Sequence, residues 1–204
     1  MKIICIGMNY KEHVRELGSA VPEAPVFFMK PDTALLRNNE PFYIPDFSKE
    51  VHYECEAVVK VNRVCKSVEE RFASRCYDEI GLGIDFTARD IQGVCKSKGL
   101  PWEICKAFDH SAAVSPVFID KSELPPVGNL DFSLDVNGLR RQTGNTSDMI
   151  FGIDAIIAYV SRFVTLKIGD LIFTGTPVGV RPVHIGDRLT GRLGDRTLLE
   201  FDVK

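Results

Sequence analysis

The sequence predicts a mixed, mainly β domain of the α+β class. Three observations carry that reading. Short runs of branched and aromatic residues recur along the chain, many of them set apart by Gly, Pro, Asn or Asp turns. Segments with helical spacing are fewer and fall at intervals, without the strict alternation of a βαβ protein. No GxGxxG follows the first apolar run, which excludes a dinucleotide-binding Rossmann unit there.

Taken in order, the strand-like runs are KIICIG at residues 2–7, PVFFMK at 25–30, ECEAVVKV at 54–61, LDFSLDVNG at 130–138, DLIFTGTP at 170–177, DRLTGRL at 187–193 and TLLEFDV at 197–203. Asn137-Gly138 marks one turn, and Gly-Asp pairs at Gly169, Gly186 and Gly194 mark others. NYKEHVRELG, residues 9–18, predicts a short helix closed by Gly18. Ser67 with Glu70, and Thr87 with Asp90, have the spacing of capping boxes, so helices are expected to open there. The longest helix is expected over residues 146–163, where Met149, Ile150, Ile153, Ile156, Ile157, Val160 and Phe163 line one face. No repeat or linker breaks the chain, so one domain over residues 1–204 is expected.

Apolar residues make up 45% of the chain and charged residues 26%, the balance of a soluble globular protein. A net charge of −3 with no basic run argues against a nucleic-acid partner. No apolar stretch has the length of a membrane helix, and the opening run is too brief for a signal peptide, so a cytoplasmic protein is expected. None of the six cysteines forms a CxxC pair, which removes zinc-ribbon and thioredoxin readings. Reduced, buried thiols are the expectation, and the sequence leaves a disulfide open.

Several residues can carry chemistry. Glu54 and Glu56 are two apart in a strand pattern, so both carboxylates project from one face, with Cys55 turned to the other. Alone, the pair reads most simply as a solvated strand face. A hard divalent cation is the other reading, since it needs adjacent carboxylate oxygens. Asp85 ends an apolar run just before a helix start, where it fits a cap and a site residue equally well. His13 and Glu16 share a helical face, as a base and its orienting carboxylate do, although solvated helix charges explain them as well. Lys30 and Lys106 sit among apolar residues and suit either a snorkelling lysine or a carboxylate-binding one. Thr174-Gly175-Thr176-Pro177 closes a buried strand in a loop able to bind an anionic oxygen, and without a GK[ST] ending it is no P-loop.

The order of the motifs is more specific than any one of them. GMNYKEHVRE, FMKPDTAL, HYECEAVV, GIDFTARDIQ, GLPWEICKAFD, VNGLRRQTGNTSDMIFG and GDLIFTGTPVGV follow one another along the chain. Together they resemble the fumarylacetoacetate hydrolase family, above all its small single-domain acylpyruvase and oxaloacetate decarboxylase members. The resemblance covers nearly the whole chain and lacks the separate N-terminal domain of the larger fumarylacetoacetases. It implies a mixed β-roll or sandwich with a few short helices and one longer one.

The resemblance further implies Mg²⁺ or Mn²⁺ on Glu54, Glu56 and Asp85, with His13 and Glu16 on a lid helix at residues 9–18 and a catalytic Lys106. Lys30, Arg89, Gln92 and Thr176 match substrate-binding positions, Met8 stands where Arg is frequent, and Arg181 stands where Gly is usual. The implied activity is metal-dependent hydrolysis of acylpyruvates, decarboxylation of oxaloacetate, or both, through a pyruvate enolate. Fumarylpyruvate hydrolysis and isomerisation of related keto acids are alternatives within the family. A small keto acid is the implied substrate and a homodimer the implied assembly. A non-catalytic binding β-domain is the reading from outside the enzyme class.

Overall fold

The computed structural model describes residues 1–204 apart from Leu17 and Ser19. In chain order it contains β1 (Ile3–Gly7), α1 (Lys11–Glu16), β2 (Val26–Lys30), β3 (Leu35–Leu36), β4 (Val51–Tyr53), β5 (Cys55–Val61), α2 (Glu70–Ala73), β6 (Tyr77–Asp85), β7 (Thr87–Ala88), α3 (Arg89–Lys98) and α4 (Glu103–Lys106). There follow β8 (Ala112–Val114), β9 (Ile119–Asp120), β10 (Asp131–Val136), β11 (Leu139–Asn145), α5 (Ile153–Phe163), β12 (Leu171–Phe173), β13 (Arg181–Pro182), β14 (Arg188–Leu193) and β15 (Arg196–Asp202). The expectation of a mainly β fold holds.

The largest sheet runs β2-β1-β12-β5-β6-β8-β3, with β9 also on β6, and the second runs β11-β10-β14-β15. The two sheets and α5 enclose the main apolar core, which includes Val59, Ile80 and Leu82 from one sheet, Phe132, Leu189 and Phe201 from the other, and Ile156 and Val160 from the helix. A second cluster packs on the opposite face of β5, where Val58 meets Ile3, Cys5 and Phe173. Both faces of β5 are therefore buried, and the solvated-face reading of Glu54 and Glu56 is overturned. Cys55 packs in the main core, away from Val58, as the period-two pattern requires.

Helix starts differ from the capping-box spacing. The pairs Ser67–Glu70 and Thr87–Asp90 cap nothing. Ser67 takes a left-handed backbone (φ 49°), and the helix opens only at Glu70. Thr87 pairs with His52 as strand, and Asp90 instead accepts from Ser48 Oγ at 2.7 Å and Lys49 N at 2.9 Å. The helix expected from residue 146 begins at Ile153. Asn9 is the cause: its carbonyl accepts the Ile150 N–H and its side-chain oxygen the Phe151 N–H, both at 2.8 Å. Those donors cannot also serve a helix. The helix at residues 9–18 spans Lys11–Glu16, with Gly18 left-handed at φ 62° and Leu17 outside the described residues.

Cysteine chemistry needs a further correction. Cys65 and Cys76 form a disulfide, Cα–Cα 6.6 Å, across the connection between β5 and β6. Antiparallel pairing brings the two ends together, which their spacing of 11 residues does not announce. Cys5, Cys55, Cys95 and Cys105 are buried free thiols. Among the described residues, no helix is long and apolar enough to cross a membrane.

Candidate active site and metal centre

Register assembles the acids. In the β5–β6 pair Cys55 lies opposite Ile84 and Glu56 opposite Gly83. One step further places Asp85 against Glu54, and the Asp85 N–H donates to the Glu54 carbonyl at 2.8 Å. Cross-strand neighbours share a face. Glu54 itself falls between β4 and β5, where the chain leaves the small β13-β4-β7 sheet for the large one. Glu54, Glu56 and Asp85 are all buried, and one carboxylate oxygen of each lies within 4.8 Å of the others.

Three bases approach this cluster. Lys106 Nζ donates to Glu54 Oε2 at 2.7 Å and to Asp85 Oδ2 at 2.9 Å. Arg89 donates from one guanidinium nitrogen to Glu54 Oε1 and from the other to Gln92 Oε1 at 2.7 Å. Lys30 Nζ stands 2.6 Å from Asp85 Oδ1. Two of its three hydrogens go to the carbonyls of Ser111 (2.6 Å) and Phe86 (3.3 Å), so Asp85 Oδ1 is held by the ion pair with Lys30. Burial works against ionisation of Glu54, yet Lys106 and then Arg89 hold its carboxyl well below the usual range. Among the described residues Glu56 has no cation in direct contact, and Lys106 acts on it only weakly from a distance. Burial first, then Asp85 and Glu54, push its carboxyl well up, against the Gly175 N–H that donates to Oε2 at 2.6 Å.

These features fit a hard divalent cation. The donors are three buried carboxylates whose oxygens converge, and one of them, Glu56, is destabilised as an anion by its burial and by the other two acids. Mg²⁺ and Mn²⁺ both accept such a set.

The cluster forms the floor of a cavity of about 210 Å³, also lined by Met8, His13, Arg89, Gln92, Lys106 and Thr176. His13 is buried and its Nδ1 lies 3.3 Å from Glu16 Oε2. Glu16 does not line the cavity. It sits behind His13, with Arg181 Nη1 at 3.5 Å from its other oxygen. Lys30 is likewise behind the cavity wall, against Asp85. The Thr176 hydroxyl donates to the Cys55 carbonyl and accepts from Gln142 Nε2, both at 2.9 Å.

Two residues outside the sequence-based set hold the frame. Gln142 on β11 accepts the Cys55 N–H at 2.9 Å while donating to Thr176, so it ties the second sheet to the strand that carries the acids. Asn9 donates to the carbonyls of Thr174 (2.8 Å) and Phe151 (3.0 Å). Their signal lay only in polar residues that fold into otherwise apolar surroundings, which spacing along one strand does not reveal. Gly175 completes the frame: φ is 103°, and a Cβ there would meet Asn9 Cβ at 2.8 Å. Gly175→Ala is expected to move the N–H from Glu56 and weaken Mn²⁺ binding roughly 10- to 100-fold, the usual cost of losing a group that supports a ligand. Calorimetric Mn²⁺ titration checks it, and unchanged affinity would remove that role from Gly175.

The site is a cluster of three buried acids in a base-lined cavity of a mainly β fold. The comparisons make the assignment specific. Residues 2–203 match the family model described as fumarylacetoacetate (FAA) hydrolase C-terminal, and the chain belongs to that family. It is 43% identical over 202 residues to the mitochondrial oxaloacetate tautomerase FAHD1 of Bos taurus, covering 99% of this chain and 91% of the relative. With the oxaloacetate tautomerase YcgM of Escherichia coli the identity is 45% over 190 residues, covering 93% and 86%. Among solved structures, fumarylpyruvate hydrolase from Pseudomonas aeruginosa, in complex with Mn²⁺ and pyruvate, superposes with a TM-score of 0.93 at 33% identity, covering 100% of this chain and 89% of that one. A fumarylacetoacetate hydrolase family protein from Yersinia pestis gives 0.95 at 42%, covering 100% and 93%.

Proposed function

We propose that this chain is a metal-dependent enzyme acting at carbon 3 of short 2-oxo acids, oxaloacetate foremost, by proton transfer and charge stabilisation. The observation that carries the reading is the convergence of the acid triad, Lys106 and His13 on one cavity, with Glu16 behind His13. The names of the relatives from cattle and Escherichia coli favour the same substrate. Bound to Glu54, Glu56 and Asp85, Mg²⁺ or Mn²⁺ would polarise substrate oxygens as a Lewis acid.

The protein's own groups divide the remaining work. Lys106 offsets the negative charge that develops on the C2 oxygen when C3 loses a proton or CO₂. Arg89, fixed on Glu54, and Gln92, fixed on Arg89, face the substrate from α3. Lys30 is a positioning residue that sets Asp85. His13, held by Glu16, moves the proton: in tautomerisation between the enol oxygen and C3, in hydrolysis from a water that attacks the C4 carbonyl. Hydrolysis of acylpyruvates is a second reading, favoured by that pair and by the fumarylpyruvate hydrolase neighbour.

The test is a panel of oxaloacetate, acetylpyruvate and fumarylpyruvate with Mg²⁺ and with Mn²⁺, following enol loss, CO₂ release and C–C cleavage separately. No turnover of any member would end the proposal. His13→Ala is expected to slow tautomerisation and hydrolysis about 10²- to 10⁴-fold. Decarboxylation, which needs charge stabilisation and no base to begin, should fall much less. Equal losses in all three would contradict the role given to His13.

A further inference from the structure

On α3, Arg89, Gln92 and Lys96 stand at spacings of three and four, so they share a helix face. All three line the cavity. Arg89 and Lys106 are committed to Glu54 and Asp85. The Lys96 side chain has no acid partner and no hydrogen bond among the described residues; its ammonium instead lies 5.4 Å from the centroid of the Trp102 ring. Trp102 packs on Phe28, with ring centroids 6.0 Å apart, and Lys106 Nζ lies 5.1 Å from the Phe28 centroid. Two aromatic rings thus form one cavity wall with an ammonium group at each end. The inner end belongs to the acid cluster. The outer end holds a cation without an ion-pair partner among the described residues.

Charge within the cavity favours an anion there. The three acids already face three bases, Lys30, Lys106 and Arg89. A bound divalent cation and Lys96 then add positive charge in excess of what one substrate carboxylate offsets. Partial burial, and next the neighbouring Arg89, lower the proton affinity of Lys96, a cost that an incoming carboxylate would relieve. Met8 and Val26 add only apolar surface to the same cavity.

We propose that Lys96, seated over Trp102, receives the second carboxylate of a dicarboxylic 2-oxo acid and sets a preference for diacids over substrates with an uncharged end. The inference rests on the keto-acid reading of the site and assigns its specificity to one residue. Lys96 leaves the chemistry to the groups at the inner end, so its loss acts on binding of one substrate class.

A matched pair of unreactive probes tests it: 2-oxoglutarate and 2-oxopentanoate have the same chain and differ in the terminal carboxylate. Calorimetry on the Mn²⁺-loaded protein should show the diacid bound roughly tenfold tighter. Lys96→Met should erase that preference with 2-oxopentanoate affinity unchanged, and Lys96→Arg should retain it. In turnover, Lys96→Met should raise KM for oxaloacetate with kcat kept, and leave acetylpyruvate alone. A preference that survives in Lys96→Met, or equal weakening of both probes, overturns the proposal. Equal binding of the two probes to the unaltered protein overturns the Lys96 assignment alone, whereas binding of neither also overturns the keto-acid reading.

Discussion

Glu54→Gln is expected to reduce affinity for Mg²⁺ or Mn²⁺ more than about 100-fold and to abolish turnover. Losing a group that merely supports a ligand costs about 10- to 100-fold, so losing a ligand costs more. Glu54 is also the residue that Lys106 and Arg89 keep ionised. Its carboxylate is ready for a cation without first losing a proton. Substitution has a second effect, in the metal-free protein. Lys106 and Arg89 would face a neutral amide, and breaking a buried pair in this way costs roughly 3–5 kcal/mol. Lys106 keeps Asp85, which places the loss toward the lower end. Metal titration and thermal melting read the two effects separately. Full activity in metal-free buffer would sink the metal assignment, and an unchanged melt would sink the pairing argument.

Glu56→Gln should have the opposite effect on stability while still removing metal binding. Glu56 is the acid with no cation in direct contact among the described residues, and its carboxyl is pushed well up by burial, Asp85 and Glu54. The folded metal-free state therefore holds a proton that the unfolded chain releases. That contribution to stability is present below the ordinary glutamate value of about 4.3 and is lost as pH rises above it through the folded value. Glu54 behaves in the reverse sense. Its folded carboxyl is depressed, so its contribution is present above the ordinary value and is lost only as pH falls below it. Metal-free protein should thus melt at progressively lower temperature from about pH 4.3 toward neutrality, and added Mg²⁺ or Mn²⁺ should restore it by binding the folded state. In Glu56→Gln the neutral amide carries no such proton, so the fall should shrink, and the rescue should disappear. Melting curves across that range, with and without chelator, decide the matter. An identical pH slope in both proteins would contradict the repulsion assigned to Glu56.

Much of this was legible in the sequence because it is local. Period-two alternation placed Cys55 opposite Glu56, and the order of seven short motifs pointed to the family that the chain belongs to. What the sequence concealed depends on distant partners. Nothing near Glu54 says that Val58 meets Ile3 and Phe173 on the same face and closes it to water. Residues 146–152 read as helix because Met149 and Ile150 fit its spacing, yet Asn9, more than a hundred positions earlier, claims the donors a helix needs. Thr87 satisfied a cap pattern and became strand because β4 offered a ladder. Gln142 looked like one polar residue in a polar stretch, and its value lies in reaching Cys55 and Thr176 together. Cys65 and Cys76 could be paired only once β5 and β6 were known to be neighbours.

The insertion of β12 between β1 and β5 has a consequence for synthesis. Translation proceeds from one end, and β1 and β5 must wait for a strand made long after both. Glu56 gains its backbone donor only when Gly175 has left the ribosome. A nascent chain that already carries Glu54, Glu56 and Asp85 therefore has the donor atoms without the frame that spaces them. Contacts so far apart in sequence also slow folding. A product that terminates before residue 171 would be an acidic fragment in which β1, β4, β5 and β10 each lack a partner strand.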